Sequence, residues 1–364
     1  MNSVAVESIV ATGTGSPDQH DSNAEVAGLT SIWCCPACRG PLQIDAADAH
    51  CRRCDARYPS IGGILDLRLR KSAWIEFDAD TAAAKRLLAL GSEATAAQMA
   101  RHVFSSRSDW DGERVESRVR QLMSEASRLM DDLEGWLKPA TAELGVLLDL
   151  GCGPGMLMAA LGTRRCIGID VSLEWLVVAA QVVREAGGTP VLAAALAEAL
   201  PLADEAVACV VSLDVIEHVA DPRPYLREIS RVTMHGGFVA VSTPNRYSLT
   251  AEPHVSIWGV GWLPRSLQKR YVKWRSGHSY DFVRLMGSRE LRSIFRRYTA
   301  LDFRIHLPEV PQRHVAGFRP RRAALAKCYN RLVGVSALRW LFLAIAPFYQ
   351  VSGYRRRLGS AGRK

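Results

Sequence analysis

Short apolar runs rich in Val, Ile and Leu alternate with longer amphipathic stretches across the middle of the chain. Residues 146–150, 166–170, 190–193, 208–213 and 238–242 form five such runs. Between them, 173–185 and 225–232 place apolar residues at helical spacing. A strand buried on both faces reads as a continuous apolar run. Strands of that kind alternating with helices predict an α/β fold on a doubly wound, Rossmann-like parallel sheet. The pattern changes on either side. Residues 77–137 mix charge and apolarity with a helical period, and Pro139 closes that stretch. Upstream, 31–69 is compact and cysteine-rich, with a strand-like piece at 50–58. After Pro244 comes an insertion rich in Arg and Trp, then a helix at 288–297 and a strand at 301–307.

These changes divide the 364 residues into a disordered tail (1–30), a cysteine module (31–69), a helical linker or cap (70–140), a sheet domain (141–310) with an inserted lid (246–287), and a basic C-terminal tail (311–364) with an apolar segment. An apolar share of 48% supports a sizeable core and excludes a mostly disordered protein. The net charge of +9 conceals an asymmetry. From Ala251 onward there are 23 basic and 5 acidic residues, a net +18, so the first 250 residues carry −9. That contrast points to a polyanionic partner or an anionic membrane surface met by the C-terminal part. The first 30 residues hold Glu7, Asp18, Asp21 and Glu25 and no Lys or Arg, unlike a secretory signal. No run of about 20 uncharged apolar residues is present. The expected location is the cytoplasm, where cysteines persist as thiols or metal ligands.

Cysteine spacing adds the first chemistry. Cys35-Pro-Ala-Cys38 is followed after 12 residues by Cys51-Arg-Arg-Cys54. Two such turns offer four thiolates, the donor set of a structural Zn2+ with no open coordination position. Metal-free thiols and a disulfide are the competing readings, and a one-residue shift would exchange Cys34 for Cys35. With Arg39-Gly-Pro-Leu42, Tyr58-Pro59 and Gly62-Gly-Ile-Leu65 around them, these residues resemble a small zinc-ribbon family. Its members occur alone as activators of tRNA methyltransferases and fused to the front of bacterial methyltransferases.

The first strand of the sheet runs into a glycine turn, Asp149-Leu-Gly151-Cys152-Gly153-Pro-Gly155. Glycines there let the backbone approach a ligand at the carboxyl edge of the sheet, and Asp170 ends the next strand, where an acid can take both ribose hydroxyls. Met156 stands where a dinucleotide fingerprint needs its third glycine, so a pyrophosphate is poorly served. With Gly168-Ile-Asp170-Val-Ser172, Ala197-Glu-Ala-Leu-Pro201 and Ser212-Leu-Asp214-Val-Ile-Glu217-His218, the chain resembles the class I S-adenosylmethionine (SAM) methyltransferases over about 100 residues. The resemblance implies that Asp149 and the turn Gly151, Cys152, Gly153 and Gly155 hold the methionine end. Asp170 would hold the ribose, Val171 the adenine face and Ala197 the adenine edge, with Asp214 closing the site. Leu196 replaces an acid common in the family, so Glu198 is expected to stand in for it or the bond is missing.

Methyl transfer to a hydroxyl needs an aligned acceptor and a way to remove its proton. His218 follows the fourth strand, and its imidazole suits the acceptor's base, oriented by Glu217. The same motif, with Ser242-Thr-Pro-Asn245 and Ser288-Arg-Glu-Leu291, resembles the subgroup containing ubiquinone-biosynthesis O-methyltransferases. That implies O-methylation of a small-molecule acceptor by the enzyme, with 246–287 as its lid. Trp258, Trp262, Arg265 and His278 in the lid suit a sugar ring, a flat aromatic or a phosphate. The apolar segment 340–349, flanked by Arg331 and Arg355-Arg-Arg357, suits an anionic membrane interface and hence a lipid-linked acceptor, or else packing on the catalytic domain. Pro347 argues against one straight helix through it. The alternative is a ribosomal or transfer RNA methyltransferase gripping phosphates through the zinc ribbon and basic surface. The distance in sequence between the basic excess and the ribbon counts against nucleic acid as the partner.

Overall fold

A computed structural model describes residues 32–357 except 70–71, 73–74, 107–109, 143–144, 163–164, 282, 311–314 and 317. The tail expected at 1–30 lies outside the described residues. Eleven strands in these residues form one sheet: β1 (Leu42–Ile44), β2 (Asp48–Cys51), β3 (Arg57–Ile61), β4 (Ile64–Asp66), β5 (Leu147–Leu150), β6 (Cys166–Asp170), β7 (Leu192–Ala194), β8 (Val207–Leu213), β9 (Thr233–Pro244), β10 (Leu301–His306) and β11 (Phe348–Arg355). Their order is β1-β2-β3-β4-β7-β6-β5-β8-β9-β11-β10. Strands β7, β6, β5, β8 and β9 run parallel, as the alternation of strand and helix predicted, and β4 of the cysteine module joins them in parallel, which it did not. Because β6 and β8 lie on opposite sides of β5, the chain reverses direction across the sheet there. This switch point opens a crevice at the carboxyl ends of the strands.

Side chains of successive strand residues enter two different cores. Leu147, Val211 and Ala240 face the helices Met156–Leu161 and Leu173–Glu185. Leu148, Leu150, Val210 and Val239 face Tyr225, Leu226 and Ile229 of the helix Pro222–Val232, and Leu291 and Phe295 of the helix Ser288–Tyr298. The upstream helical stretch is four helices and a short turn of helix, Phe77–Leu88, Ala96–Ser105, Gly112–Met123, Glu125–Glu134 and Lys138–Ala142. Thr95 and Gln98 close a reciprocal capping box at the second of these. Their buried Leu87, Val103, Phe104 and Leu133 join the first core, so this segment packs as a layer on the sheet's helices.

Both termini of the described chain extend the sheet. The cysteine module continues it through β4, which pairs parallel to β7 with Leu65 opposite Ala193. At the other end, the apolar segment read as part of a basic tail splits at Pro347. A helix, Arg339–Ile345, precedes it and β11 follows. Strand β11 is antiparallel to both neighbours, β9 and β10. The arginine run 355–357 conceals this strand in the sequence, but Tyr349, Val351 and Gly353 alternate inward. Glycine is required at 353, where a Cβ would lie 2.2 Å from the carbonyl oxygen of Asp302. No described helix is long and apolar enough to cross a membrane.

Candidate active site

A cavity of about 910 Å³ opens at the switch point. Its wall includes Gly151, Asp170, Val171, Ala197, Glu198, Asp214 and His218, with apolar Ile169, Trp175 and Leu196 between them. Asp149, Cys152, Gly153 and Gly155 form the turn and its support. All three glycines of the turn have positive φ, at 77°, 47° and 77°. Two of them are also sterically demanded. A Cβ on Gly151 would sit 2.2 Å from Cγ2 of Val215, and one on Gly155 would sit 3.0 Å from Cβ of Ala179. Gly153 has open space above it and donates its N–H to Asp170 at 2.8 Å. Asp170 also accepts the N–H of Ser172 at 2.9 Å, so the two ends of the site are tied through one carboxylate.

Asp149 is buried, and its Oδ2 has no hydrogen-bond partner among the described residues. Burial, with a smaller push from the charge of Asp170, raises its carboxyl to about 8. Burial likewise raises Asp170 against the opposing N–H bonds from Ser172 and Gly153, and it raises the Cys152 thiol well above its usual range. Two acids and an orphaned oxygen beside a glycine turn are a mismatch that a cationic, hydroxyl-bearing ligand would relieve. The donor set therefore fits SAM, whose ammonium and ribose need such acceptors.

A buried ionic strut, absent from the sequence reading, stands behind the ribose loop. Arg68, its side chain 1% exposed, donates to Asp66 and Asp80 at 2.6 and 2.7 Å and to the carbonyl of Val171 at 3.1 Å. Asp80 then accepts from Ser172 Oγ at 2.7 Å and from the N–H of Leu173 at 2.8 Å. It thereby caps the helix Leu173–Glu185 from a different helix. The strut links β4, the first upstream helix and the loop after Asp170.

The acceptor end of the cavity is built from three segments. Asp214 follows β8 in the left-handed region, φ 55°, an uncommon and costly state for a residue with a Cβ. Ser242 holds it there. Its hydroxyl accepts the Asp214 N–H at 3.1 Å and donates to the carboxylate at 2.8 Å. Glu217 is buried, and its Oε2 accepts from Thr243 at 3.0 Å while Oε1 has no partner among the described residues. Burial, then the charge of Asp214, raise its carboxyl well above the usual range. His218 instead meets His254 from the lid, Nε2 to Nε2 at 3.1 Å. His254 Nδ1 in turn lies 2.5 Å from Oε1 of buried Glu252. Glu252-Pro-His254 stands out in the sequence as part of the enlarged lid, but its contact with His218 is not written in spacing and appears only in the fold.

Ser279 and Asp281 of the lid also line the cavity, whereas the lid residues singled out by type do not. Trp258 and Trp262 are exposed, their indole N–H groups donating to the carbonyls of Leu249 and Ser248. Arg265 pairs with Glu290 at 2.7 Å. His278 is exposed.

At the N-terminal module, Cys35, Cys38, Cys51 and Cys54 converge. Sγ separations of 3.6 Å (Cys35 to Cys54) and 3.5 Å (Cys38 to Cys51) suit four thiolates around one ion. Burial works against ionisation of Cys35, but the Tyr58 hydroxyl at 3.2 Å and two backbone N–H groups hold its thiol down to about 7. Cys34 stays out of this cluster. Its backbone N–H donates to Pro201 beyond the adenine-side loop.

Residues 148–241 match the family described as a methyltransferase domain. A ubiquinone biosynthesis O-methyltransferase of Cereibacter sphaeroides is 35% identical over 148 residues, 39% of this chain and 59% of the relative. The enzyme of the same name from Parvibaculum lavamentivorans is 35% identical over 124 residues, 32% of this chain and 48% of the relative. The chain therefore spans about three fifths, or less, of the curated relatives it matches. Among solved structures, a SAM-dependent methyltransferase from Mesorhizobium loti is 16% identical, covering 62% of this chain and all of that one at a TM-score of 0.41. With its glycine turn, its acid at the second strand and this strand order, the segment 148–241 is a methyltransferase domain of the class I SAM-dependent type, carried on a chain with an N-terminal four-cysteine cluster.

Proposed function

We propose that the protein is a SAM-dependent methyltransferase that methylates an oxygen of a small-molecule or lipid-linked acceptor, such as a sugar, glycolipid precursor, phenol or quinone-like ring. The observation that carries this reading is the polar cluster of Glu217, His218, His254 and Glu252 at the cavity end away from the glycine turn. Bound SAM would supply a methyl on sulfonium for the acceptor's oxygen, the C–S bond pair leaving with sulfur, and the acceptor's hydroxyl proton would pass to His218. The chain's own residues do the rest. Gly151, Gly153 and Gly155 keep the backbone out of the ligand's space, with Cys152 packed beneath. Asp149 and Asp170 accept from the methionine and ribose ends, and Val171, Ala197 and Glu198 border the adenine. Asp214 closes the far wall, and His218 lies where the acceptor's hydroxyl is activated. Cys35, Cys38, Cys51 and Cys54 hold a structural Zn2+.

Relatives named for ubiquinone biosynthesis support a small-molecule acceptor, and the comparisons give no support to RNA. A lipid-linked acceptor is favoured by the helix Arg339–Ile345. It displays Trp340 and Leu341 beside Arg339, as a peripheral contact with an anionic membrane would require. The test is calorimetric SAM binding by the purified protein, followed by release of S-adenosylhomocysteine with a panel of phenols, sugars and polyprenyl-linked sugars. Binding and turnover with a hydroxyl acceptor are expected. Failure to bind SAM would sink the reading.

A further inference from the structure

The helix Ser288–Tyr298 turns Leu291 and Phe295 into the core and leaves Arg289, Arg292 and Arg296 exposed. Residues three and four apart on a helix are neighbours, so these guanidinium groups share one side. Beside them runs β10, the outermost strand of the sheet, with Leu301 and Ile305 buried and Asp302 and Arg304 exposed. A groove of about 300 Å³ lies between helix and strand, lined by Arg292, Arg296, Arg304 and Arg339, with Asp302 as the one acid on its wall. A second groove of about 440 Å³ along the helix shares Arg292 and Arg296 with it and adds Arg289 and Arg297. None of these arginines lines the cavity at the switch point. Three observations mark the first groove as a place for an anion. No carboxylate among the described residues forms an ion pair with its four arginines, and Glu290, the acid of the same helix, is taken by Arg265 and Arg284. Arg339 donates to the carbonyl of Ile305 at 2.7 Å, which holds its guanidinium against the strand. Lastly, His306 at the end of β10 is half-buried and meets Ser352 Oγ at 2.9 Å. Burial, then the charges of Arg339 and Arg304, hold its imidazole below the usual range. The positive field of the groove thus reaches a titrating side chain with no anion to offset it.

We propose that the groove between the helix Ser288–Tyr298 and β10 binds a ligand through phosphate groups, a diphosphate being the match for four guanidinium groups. Arginine presents its donors in a planar fork that fits phosphate oxygens two at a time, and it stays charged at every working pH. Arg292 and Arg296 supply the forks on the helix side, Arg304 and Arg339 those on the strand side. The site is separate from the methyl-transfer cavity and does not rest on that reading. The same chemistry reaches it from two sources, a soluble diphosphate or the phosphate of a lipid headgroup. Trp340 and Leu341, exposed next to Arg339, leave both sources open to the groove.

The test is titration calorimetry of the full chain with inorganic diphosphate. Saturable binding of one diphosphate per chain is expected. Arg296 lines both grooves, so Arg296→Gln should weaken binding about 10- to 100-fold, as loss of a charge-assisted pair does. Arg296→Lys keeps the charge without the fork and should recover only part of that loss. Arg270→Gln removes an equally exposed charge from the lid helix Arg265–Ser276 and should leave affinity within about twofold, since a distant charge is screened. Proton resonances of the His306 ring, assigned with His306→Gln, should titrate at higher pH once diphosphate is bound, because the anion offsets Arg304 and Arg339. Sedimentation with phosphatidylcholine vesicles carrying phosphatidic acid separates the sources. Vesicle binding that free diphosphate displaces and Arg296→Gln abolishes assigns the groove to a lipid headgroup, whereas diphosphate binding without vesicle binding assigns it to a soluble ligand. Absence of both kinds of binding would overturn the proposal. Equal losses in Arg296→Gln and Arg270→Gln would overturn it too, since net charge rather than the groove would then be the cause.

Discussion

The two ends of the cavity are built in opposite ways. The cofactor end comes from nearly contiguous chain, Asp149 to Gly155 and then Asp170 to Ser172, and works through backbone shape. Its shape comes from glycines without a Cβ, with the carboxylates of Asp149 and Asp170 set on that backbone. The acceptor end is assembled from residues 214–218, 242–243 and 252–254, and works through side chains that hold each other in place. A backbone-built site is fixed by the sheet that forms it. A side-chain site contributed partly by an insertion can change its chemistry when the insertion changes, with the sheet left intact. The two ends should therefore fail separately, and this expectation can be broken by experiment.

The largest effect is expected at the acceptor end. His218→Ala should lower turnover about 10³-fold, the range for losing a group that activates a hydroxyl, while SAM affinity stays within about threefold. Single-turnover rates and calorimetry measure the two quantities. A comparable loss of SAM affinity would show that the ends are one unit. Next comes the strut beneath the cofactor end. Arg68→Met leaves Asp66 and Asp80 buried without their shared cation, and breaking such a buried set costs about 3 kcal/mol or more. Denaturant unfolding should report that loss, and SAM affinity should fall with it because Val171 and Ser172 lose their support. Intact affinity in the folded variant would detach the N-terminal module from cofactor binding. Gly151→Ala follows. Its Cβ must displace Val215 and accept φ near 77°, so a loss of about 10²-fold in SAM affinity is expected, as for other misfits of this size at a binding wall. Turnover at saturating SAM should change much less.

The same contrast decides how far sequence reading reached. Five parallel strands, the helix Leu173–Glu185 and the glycine turn were legible because each is written in a short window of apolar period or glycine spacing. The four converging cysteines were legible for the same reason. Strand β11 was hidden by the arginines at its end, because charge dominates composition while alternation of Tyr349, Val351 and Gly353 decides burial. Arg68 and Asp80 read as two ordinary charges 12 positions apart. Only their common burial against the loop after Asp170 gives them a role. Glu217 beside His218 suggested an orienting pair; in the fold the two stay within one cluster, and their further partners, Thr243 and His254, are what the sequence could not supply. Glu252-Pro-His254 and the tryptophans drew attention together by residue type, yet of these only the former reaches His218, while Ser279 and Asp281 of the same lid join the cavity wall.

The smallest predicted effect concerns protons at the cofactor end. Asp149 in the free protein holds its proton up to about 8, burial being the first cause and the charge of Asp170 the second. An unfolded aspartate ionises near 4. The folded value is the higher one, so the stability this group contributes is full below about pH 4 and is lost as pH rises toward 8. A bound cationic ligand reverses the preference by favouring the ionised form. SAM affinity should therefore rise with pH below 8 and level off above it, by about tenfold between pH 7 and 9. Calorimetry in buffers of different ionisation enthalpy should register proton release on binding at pH 7 and little at pH 9. Asp149→Asn removes the titrating group, so its affinity profile should be flat over that window and the thermal stability of its unliganded form should depend less on pH between 5 and 8. A sloping profile in Asp149→Asn would move the titration to Asp170. Because neither acid lies in the lid, His254→Ala should leave the slope unchanged. That places the proton release at the backbone-built end of the cavity and keeps the two ends apart in their pH response as well as in rate.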